Sequence, residues 1–442
     1  MPSTESAVRF IRFITRLLCV LLLCAPVEAS RLFTTGFETN DFTATEWDTI
    51  ADGAPTIATT SGCSPTVNSG TYVMRALQGA TAAQNYVRRN FSAAKTTGTV
   101  SKRTMMCIAD LPDTLPQSVF IWSNANGLTT GSGPVHVRII TGPKLRIRNQ
   151  LTGTDTDGTT TLNLNQWYRV ELKVTLSDTT GLIELRLNDA VEASQTNVDT
   201  LDGTAGFNRF FLGVGAGNVG STSANYDVFF DDIAVNDETG TFQTNYPGKG
   251  KTFMVKPTSD NTVAWTKTGA NCSATTNTDC VDDQPGTPDD LSGYTTIGTN
   301  GTVDRLNKTA LGAEVPSDAD MILIDVYTRF GASGSTGTRL CRIDLWDDVG
   351  TQTSGIDTGT GCDGTADTWA LNRIGPTNDH LVFDLGTRSK ATVNDADFDI
   401  GYTNRSAHNN RVTSEWGNVE WTEAPPAPAC VNALLLLGAG CN

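Results

Sequence analysis

The chain has 442 residues, a formal charge of −16 and only three histidines. That acidic balance works against nucleic acid and anionic membranes as partners, and the length provides for two domains, each with its own core. No apolar run is long enough to span a bilayer as a helix.

At the N-terminus, Arg9, Arg12 and Arg16 precede an apolar run from Leu17 to Ala25, and Val27-Glu28-Ala29 offers small residues at a cleavage position. Residues 1–29 therefore read as a removable signal peptide, with a mature start at Ser30. Leu23 before Cys24 is too bulky for a lipoprotein signal. Behind the leader, eight cysteines fall in order as Cys63 and Cys107, Cys272 and Cys280, Cys341 and Cys362, Cys430 and Cys441. An even number in each candidate domain suits local disulfides and a secreted or cell-surface protein; reduced thiols are the other reading. No CxxC or Cys/His spacing points to zinc.

Thr, Gly, Asn and Asp dominate, and helical periodicity is nearly absent. Val135 to Ile140, Lys144 to Arg148, Tyr168 to Leu176 and Leu182 to Leu187 alternate apolar and polar residues. One apolar side chain in two is what a sheet with one buried face requires. Short strands between Gly/Asn/Asp turns predict an all-β protein of two antiparallel β-sandwiches in tandem. The first domain spans 30–240 and 241–250 is the linker. A second β domain covers 251–423, with strands at Met321 to Tyr327, Arg342 to Trp346 and His380 to Leu385. The Pro-rich segment and apolar tip of 424–442 are candidate assembly elements for a homo-oligomer.

Several segments of the first domain carry a resemblance. They are Gly36-Phe37-Glu38 with Trp47, Gln166 to Leu172, Gly181 to Asp189, and Tyr226 to Val235. In this order they resemble the concanavalin A-like lectin/glucanase jelly roll in its laminin-G-like form, over about 210 residues. The resemblance implies that the Trp167 strand pairs with the Gly181 strand, and that the Asp231-Asp232-Ile233 strand lies beside the first. Asp189 stands where that family has a turn glycine, and Asn-Asp still permits a tight hairpin. Glu38 and Asp231 or Asp232 would then be neighbours, an oxygen-rich place suited to Ca²⁺, and the resemblance implies a structural Ca²⁺ there. In the second domain, Asn236 to Gly248, the Trp265 strand, Val281-Asp282-Asp283 and Met321 to Tyr327 resemble phage tail and virion-associated proteins. The leader favours a secreted surface protein instead.

Catalytic chemistry is sparse. No Glu-x-Asp-x-x-Glu strand of a retaining glucanase is present, and Asp344 to Asp348 reads as a strand end running into an acidic turn. No Gly-x-Ser-x-Gly, phosphate loop or dinucleotide fingerprint occurs. Asp282, Asp283, Asp289 and Asp290 read as a solvated loop. His136 with Arg138, Arg146 and Arg148 on one strand face is the only arrangement resembling a polysaccharide lyase site. Sugar binding is expected at Trp122, Asn124 and Asn126, and at Asn225 and Tyr226, where an aromatic ring adjoins amides. Trp47 and Trp167 are assigned to the core. The expected function is non-catalytic binding of a polysaccharide or surface glycan, or adhesion. A jelly-roll lyase or hydrolase, and a purely structural virion component, are the alternatives.

Overall fold

The computed structural model describes residues 31–423, except 43–46, 48, 51–54, 79–83, 124–133, 202–205, 216–223, 241–242, 273–275, 284–291, 333–340, 348, 351, 359–368, 372–380, 387 and 406–409. The leader and the C-terminal tip lie outside this set, as do Asn124, Asn126, Cys362, Cys430 and Cys441. Among the described residues no helix is long and apolar enough to cross a membrane.

Two β-sandwiches follow one another, as the alternation predicts. In the first, an eight-stranded sheet runs Ala190–Val198, Gly181–Leu187, Trp167–Leu176, Gly98–Asp110, Tyr226–Asp237, Val73–Gln78, Thr56–Ala58, with Arg31–Thr35 also on Tyr226–Asp237. A seven-stranded sheet faces it, in the order Thr154–Asp157, Lys144–Asn149, Val135–Ile140, Gln117–Ser123, Phe207–Val214, Asn85–Lys95, Thr49–Ile50. The apolar half of each alternating strand meets in one core, including Val137, Ile147, Phe120, Phe210, Val170, Leu185 and Phe230.

The implied pairings are present. Trp167–Leu176 is antiparallel to Gly181–Leu187, and Tyr226–Asp237 to Arg31–Thr35. Asn188 and Asp189 both take positive φ, 49° and 77°, which makes the tight hairpin without glycine. The Asn188 Oδ1 accepts from the Arg169 amide at 2.9 Å and steadies the turn. Cys63 is joined to Cys107, and Cys272 to Cys280. The first closes a loop across 44 residues; in the chain-entropy account a loop of that length is worth about 4 kcal/mol.

The second sandwich sets one sheet around Asp320–Ala332 and Asn410–Thr422 against a five-stranded sheet, Pro257–Thr262, Val303–Lys308, Ile400–Asn404, Cys341–Trp346, Gln352–Thr358. Its core holds Trp265, Leu306, Ile324, Phe330, Ile343 and Val419. One core carboxyl is out of place. Glu415 is fully buried, its Oε2 has no hydrogen-bond partner, and Thr328 Oγ1 lies 3.4 Å from Oε1. Burial, with the charge of Asp344, pushes its carboxyl well above the ordinary value of 4.5. The folded state therefore holds the Glu415 proton more tightly than the unfolded chain. Stability falls as the pH rises above 4.5 through the folded value. Glu415→Gln is expected to remove that slope and to gain about 1 kcal/mol at neutral pH, read from urea unfolding across the pH range.

The two sandwiches are not separate beads. The segment after residue 242 packs on the outward face of the eight-stranded sheet. There the Tyr246 hydroxyl donates to Glu184 Oε1 at 2.8 Å, the Arg186 guanidinium sits 4.0 Å from the Tyr246 ring, and the Gly248 amide donates to Glu171 Oε1 at 2.8 Å. Tyr327, stacked on Trp416 at 5.2 Å, and Asn418 reach the carbonyl of Thr34 from the second sandwich.

Candidate functional site: a basic sheet face and a carboxylate cluster

The alternation that fills the first core leaves the other half of each strand on the outward face of the seven-stranded sheet. Register then assembles a row no single strand contains. Arg88 lies opposite Phe211, Phe211 opposite Ile121, Ile121 opposite His136, His136 opposite Arg148, and Arg148 opposite Asp155. A neighbouring row pairs Arg138 with Arg146 and Arg146 with Asp157, and on the other side Arg209 pairs with Asn90 and Ser123. Directly opposed side chains in a sheet are about 5 Å apart, so these groups are true neighbours.

Five arginines thus share one face with two carboxylates, Asp155 and Asp157, in a chain of charge −16. Arg146 is held by both carboxylates, with Nη1 to Asp155 at 3.0 Å and Nη2 to Asp157 at 3.0 Å, and Arg148 Nη1 lies 3.3 Å from Asp155. The hydrogen bond from Arg146 keeps the Asp157 carboxyl below its ordinary value. Arg138 has no such anchor: its Nε is buried without a partner. Burial, with the charges of Arg148 and Arg146, draws its pKa down against the pull of Asp155. The centre of the face is apolar and covered, with Tyr86, Ile121 and Phe211 packed together. His136 is 1% exposed and lies 3.1 Å, by Nδ1, from the Ser118 hydroxyl. The half-exposed groups are Arg88, Asn90, Arg146, Arg148 and Arg209.

The second constellation lies where the first strand ends. Tyr226–Asp237 slips register against Gly98–Asp110 between Asp231 and Ala234, and Asp232 takes φ 47°. A bulge of this kind lets two consecutive side chains turn inward. Asp231 and Asp232 are both fully buried and Glu38 is 7% exposed. Glu38 accepts from the amides of Thr71 and Tyr72 at 3.0 and 3.1 Å. Gly70 permits that approach, since its φ is +59° and a Cβ there would fall 2.2 Å from Glu38 Oε1. Asp231 accepts from the Ser69 amide at 3.1 Å; Asp232 accepts from Asn68, Ser69 Oγ and the Thr252 amide at 2.6 to 2.7 Å. Burial raises the Asp231 carboxyl well above its ordinary value, and the charges of Asp232 and Glu38 add to it.

Glu38 and Asp231 are therefore electrostatic neighbours, in the place the strand pairing implied. Their donor set is all oxygen, the kind a hard cation such as Ca²⁺ takes. Among the described residues no group of three or more His, Cys, Asp or Glu is arranged to hold one metal ion. A cation here would draw on Glu38, Asp231 and neutral oxygens such as Ser69 Oγ.

The expected sugar platforms are corrected by burial. Trp122 is 1% exposed and stacks on Phe207 at 6.0 Å inside the core, so its indole offers no face to a ligand. The reason is strand parity: Phe120 and Trp122 point the same way, into the sandwich. Tyr226 is likewise 1% exposed, and burial pushes its hydroxyl up to about 12. Asn225 is exposed at φ 49° and donates to Asp113 at 2.8 Å. Trp47 and Trp167 are buried as expected. In the acidic run, Asp344 is buried on its strand against Arg342 and Thr403, and Asp347 closes a turn with Val349. Arg88, Asn90 and Arg209 were missed. Asn85 to Lys95 breaks the alternation at Tyr86-Val87 and Arg88-Arg89-Asn90, and nothing local shows that it lies two strands from His136's neighbours.

No family model matches the chain, and no curated protein matches it. Solved structures do match about half of it. An endo-β-1,4-glucuronan lyase from the fungus Trichoderma reesei is 17% identical over 48% of this chain and 96% of its own, with a TM-score of 0.35. The cellulose-induced protein Cip1 is 16% identical over 49% and 99%, TM-score 0.35. Domain 4 of an extracellular arabinanase from Geobacillus stearothermophilus, seen with arabinotriose, is 15% identical over 49% and 97%, TM-score 0.32. Likenesses this distant say nothing about the chemistry of this chain's residues.

Proposed function

We propose that the chain is a secreted protein whose first sandwich recognises an acidic polysaccharide on the outward face of its seven-stranded sheet. One observation carries this reading: five arginines converge on one face of a strongly acidic chain. A polyanion with a repeating carboxylate spaced along a stiff backbone matches a row of guanidinium groups laid across strands. The two disulfides accord with an oxidising compartment. Affinity electrophoresis in gels containing uronate polymers tests it. Retardation in polyuronate but not in neutral glucan, weakened by added salt, is the expected result. Arg148→Gln with Arg209→Gln should abolish it. Equal migration in acidic and neutral gels would sink the reading.

A second reading is favoured by His136 beside Arg148. Elimination from a uronate needs a base at the carbon next to the carboxylate and a cation to neutralise that carboxylate. His136 is the base and Arg138 or Arg148 the cation in this account. At 1% exposure the imidazole is out of a substrate's reach in the described structure, so recognition is the better-supported role. Release of unsaturated sugar ends, lost in His136→Ala while polymer binding persists, would reverse that order.

A structural Ca²⁺ belongs to the same proposal. Held by Glu38 and Asp231, it would neutralise their repulsion and fasten the 68–72 segment to the end of the first strand. Chelator is expected to lower the melting midpoint of the wild type, and Asp231→Asn to erase that response. An unchanged midpoint removes the ion from the account.

A further inference from the structure

A cavity lies on the opposite side of the first sandwich from the basic face. It measures about 170 Å³ and is lined by Asn68, Met105, Arg169 and Asn188 of the first domain and by Lys249, Gly250, Lys251, Thr422 and Glu423 beyond it. Neither sandwich makes this hollow alone. Its lining carries Arg169, Lys249, Lys251 and one carboxylate, Glu423, while Glu171 and Asp189 lie against Arg169. Arg169 is the built part of the wall. Its side chain is 8% exposed and is fixed from behind by Glu171, 3.4 Å from Nε, and by Asp189. Glu171 is itself fixed by the Gly248 amide. At the rim Lys251 pairs with Glu423 at 2.8 Å. Lys249 is exposed and makes no ion pair among the described residues. The Asn188 carboxamide oxygen is occupied by the Arg169 amide, which leaves its NH₂ as a donor.

We infer that this cavity is a binding site for a small oxyanion, clamped between the two sandwiches. Arg169 and Lys251 have carboxylate partners, but Arg169 Nε and Nη2 are buried without a hydrogen-bond partner, and Lys249 has no carboxylate within ion-pair distance among the described residues. A tetrahedral or planar oxyanion would accept hydrogen bonds from this guanidinium, two ammonium groups and an amide. Met105 supplies the apolar floor that keeps the contacts partly desolvated. Because Lys249 and Lys251 belong to the connection and the second sandwich, a bound anion would also tighten the joint. The site goes beyond the polysaccharide face and does not depend on it.

Isothermal titration of the full chain with sulfate, with phosphate and with glucuronate, at ionic strength held constant by chloride, tests the inference. Saturable binding of at least one of them is expected, with affinity reduced at least tenfold in Lys249→Met and unchanged in Arg148→Gln. Sulfate or phosphate binding would mark a free inorganic ion as the source; glucuronate binding alone would mark the carboxylate of an acidic sugar. Lys249 is exposed, so its variant should fold, and a circular dichroism melt verifies that. No binding beyond the chloride control, or full binding in Lys249→Met, would overturn the site. Loss of binding in Arg148→Gln would return the anion to the sheet face.

Discussion

Lys102→Met is expected to stabilise the protein by about 1–3 kcal/mol at neutral pH. Lys102 stands on Gly98–Asp110 among core positions, fully buried, and its Nζ has no hydrogen-bond partner. It lies 4.3 Å from the Phe120 ring centroid, 5.3 Å from Phe210 and 5.7 Å from Trp122. An ammonium over aromatic faces gains about 2 kcal/mol when desolvated, but burying it costs several, so desolvation wins. Burial accordingly draws the Lys102 pKa well below 10.5. Methionine keeps the length and the contacts with the rings and drops the amine. The pH dependence gives a second readout. The folded state binds fewer protons here than the unfolded chain. The cost of Lys102 is therefore absent above 10.5, grows as the pH falls through the window down to the folded value, and is complete below it. Wild-type stability should rise through that window toward alkaline pH, and the variant should lose the rise. A urea midpoint that drops in Lys102→Met, with unchanged slope, would show that the amine is paired in a way the core does not reveal.

Glu420→Ala should cost about 3–5 kcal/mol and loosen the two sandwiches. Glu420 projects from Asn410–Thr422 into the first domain, where Oε2 binds Arg31 and Oε1 lies 2.6 Å from Arg103 Nη1. All three side chains are fully buried. Arg31 also donates to Asn236 Oδ1 at 2.6 Å, and Arg103 Nε to the carbonyl of Asp232 at 2.9 Å. Removing the carboxylate leaves two buried guanidinium groups facing each other, and that is the larger loss; the pair's net worth in the wild type is smaller. Burial alone would raise the Glu420 carboxyl, but Arg103 and Arg31 outweigh it and hold it below 4.5. Its contribution is present above 4.5 and is lost as the pH falls through the folded value. Small-angle scattering should report a larger radius for the variant, and proteolysis should cut sooner within 243–250. A variant as compact and as stable as the wild type would mean that the sandwiches are held by the apolar part of the joint, such as Tyr327 and Trp416.

The sequence by itself determined the all-β class, the strands around Val135 to Arg148 and Tyr168 to Leu187, and the Asn188-Asp189 hairpin; the nearness of Glu38 to Asp231 was implied by the family resemblance. The first three rest on local patterns: one apolar side chain in two and a turn dipeptide. The bonds Cys63–Cys107 and Cys272–Cys280 follow the order of the cysteines along the chain, a connectivity the sequence had left open. Only the tertiary structure decided what is exposed. Trp122 and Tyr226 carry amide neighbours as sugar platforms do, yet strand parity turns both rings into the core. It also decided which distant charges meet. Arg31 and Glu420 are 389 residues apart, and Arg88 reaches His136 only through two intervening strands. Side-chain parity is written along a strand. Register across strands and the docking of one sandwich on another are global minima of burial and charge pairing, which no short stretch of residues encodes.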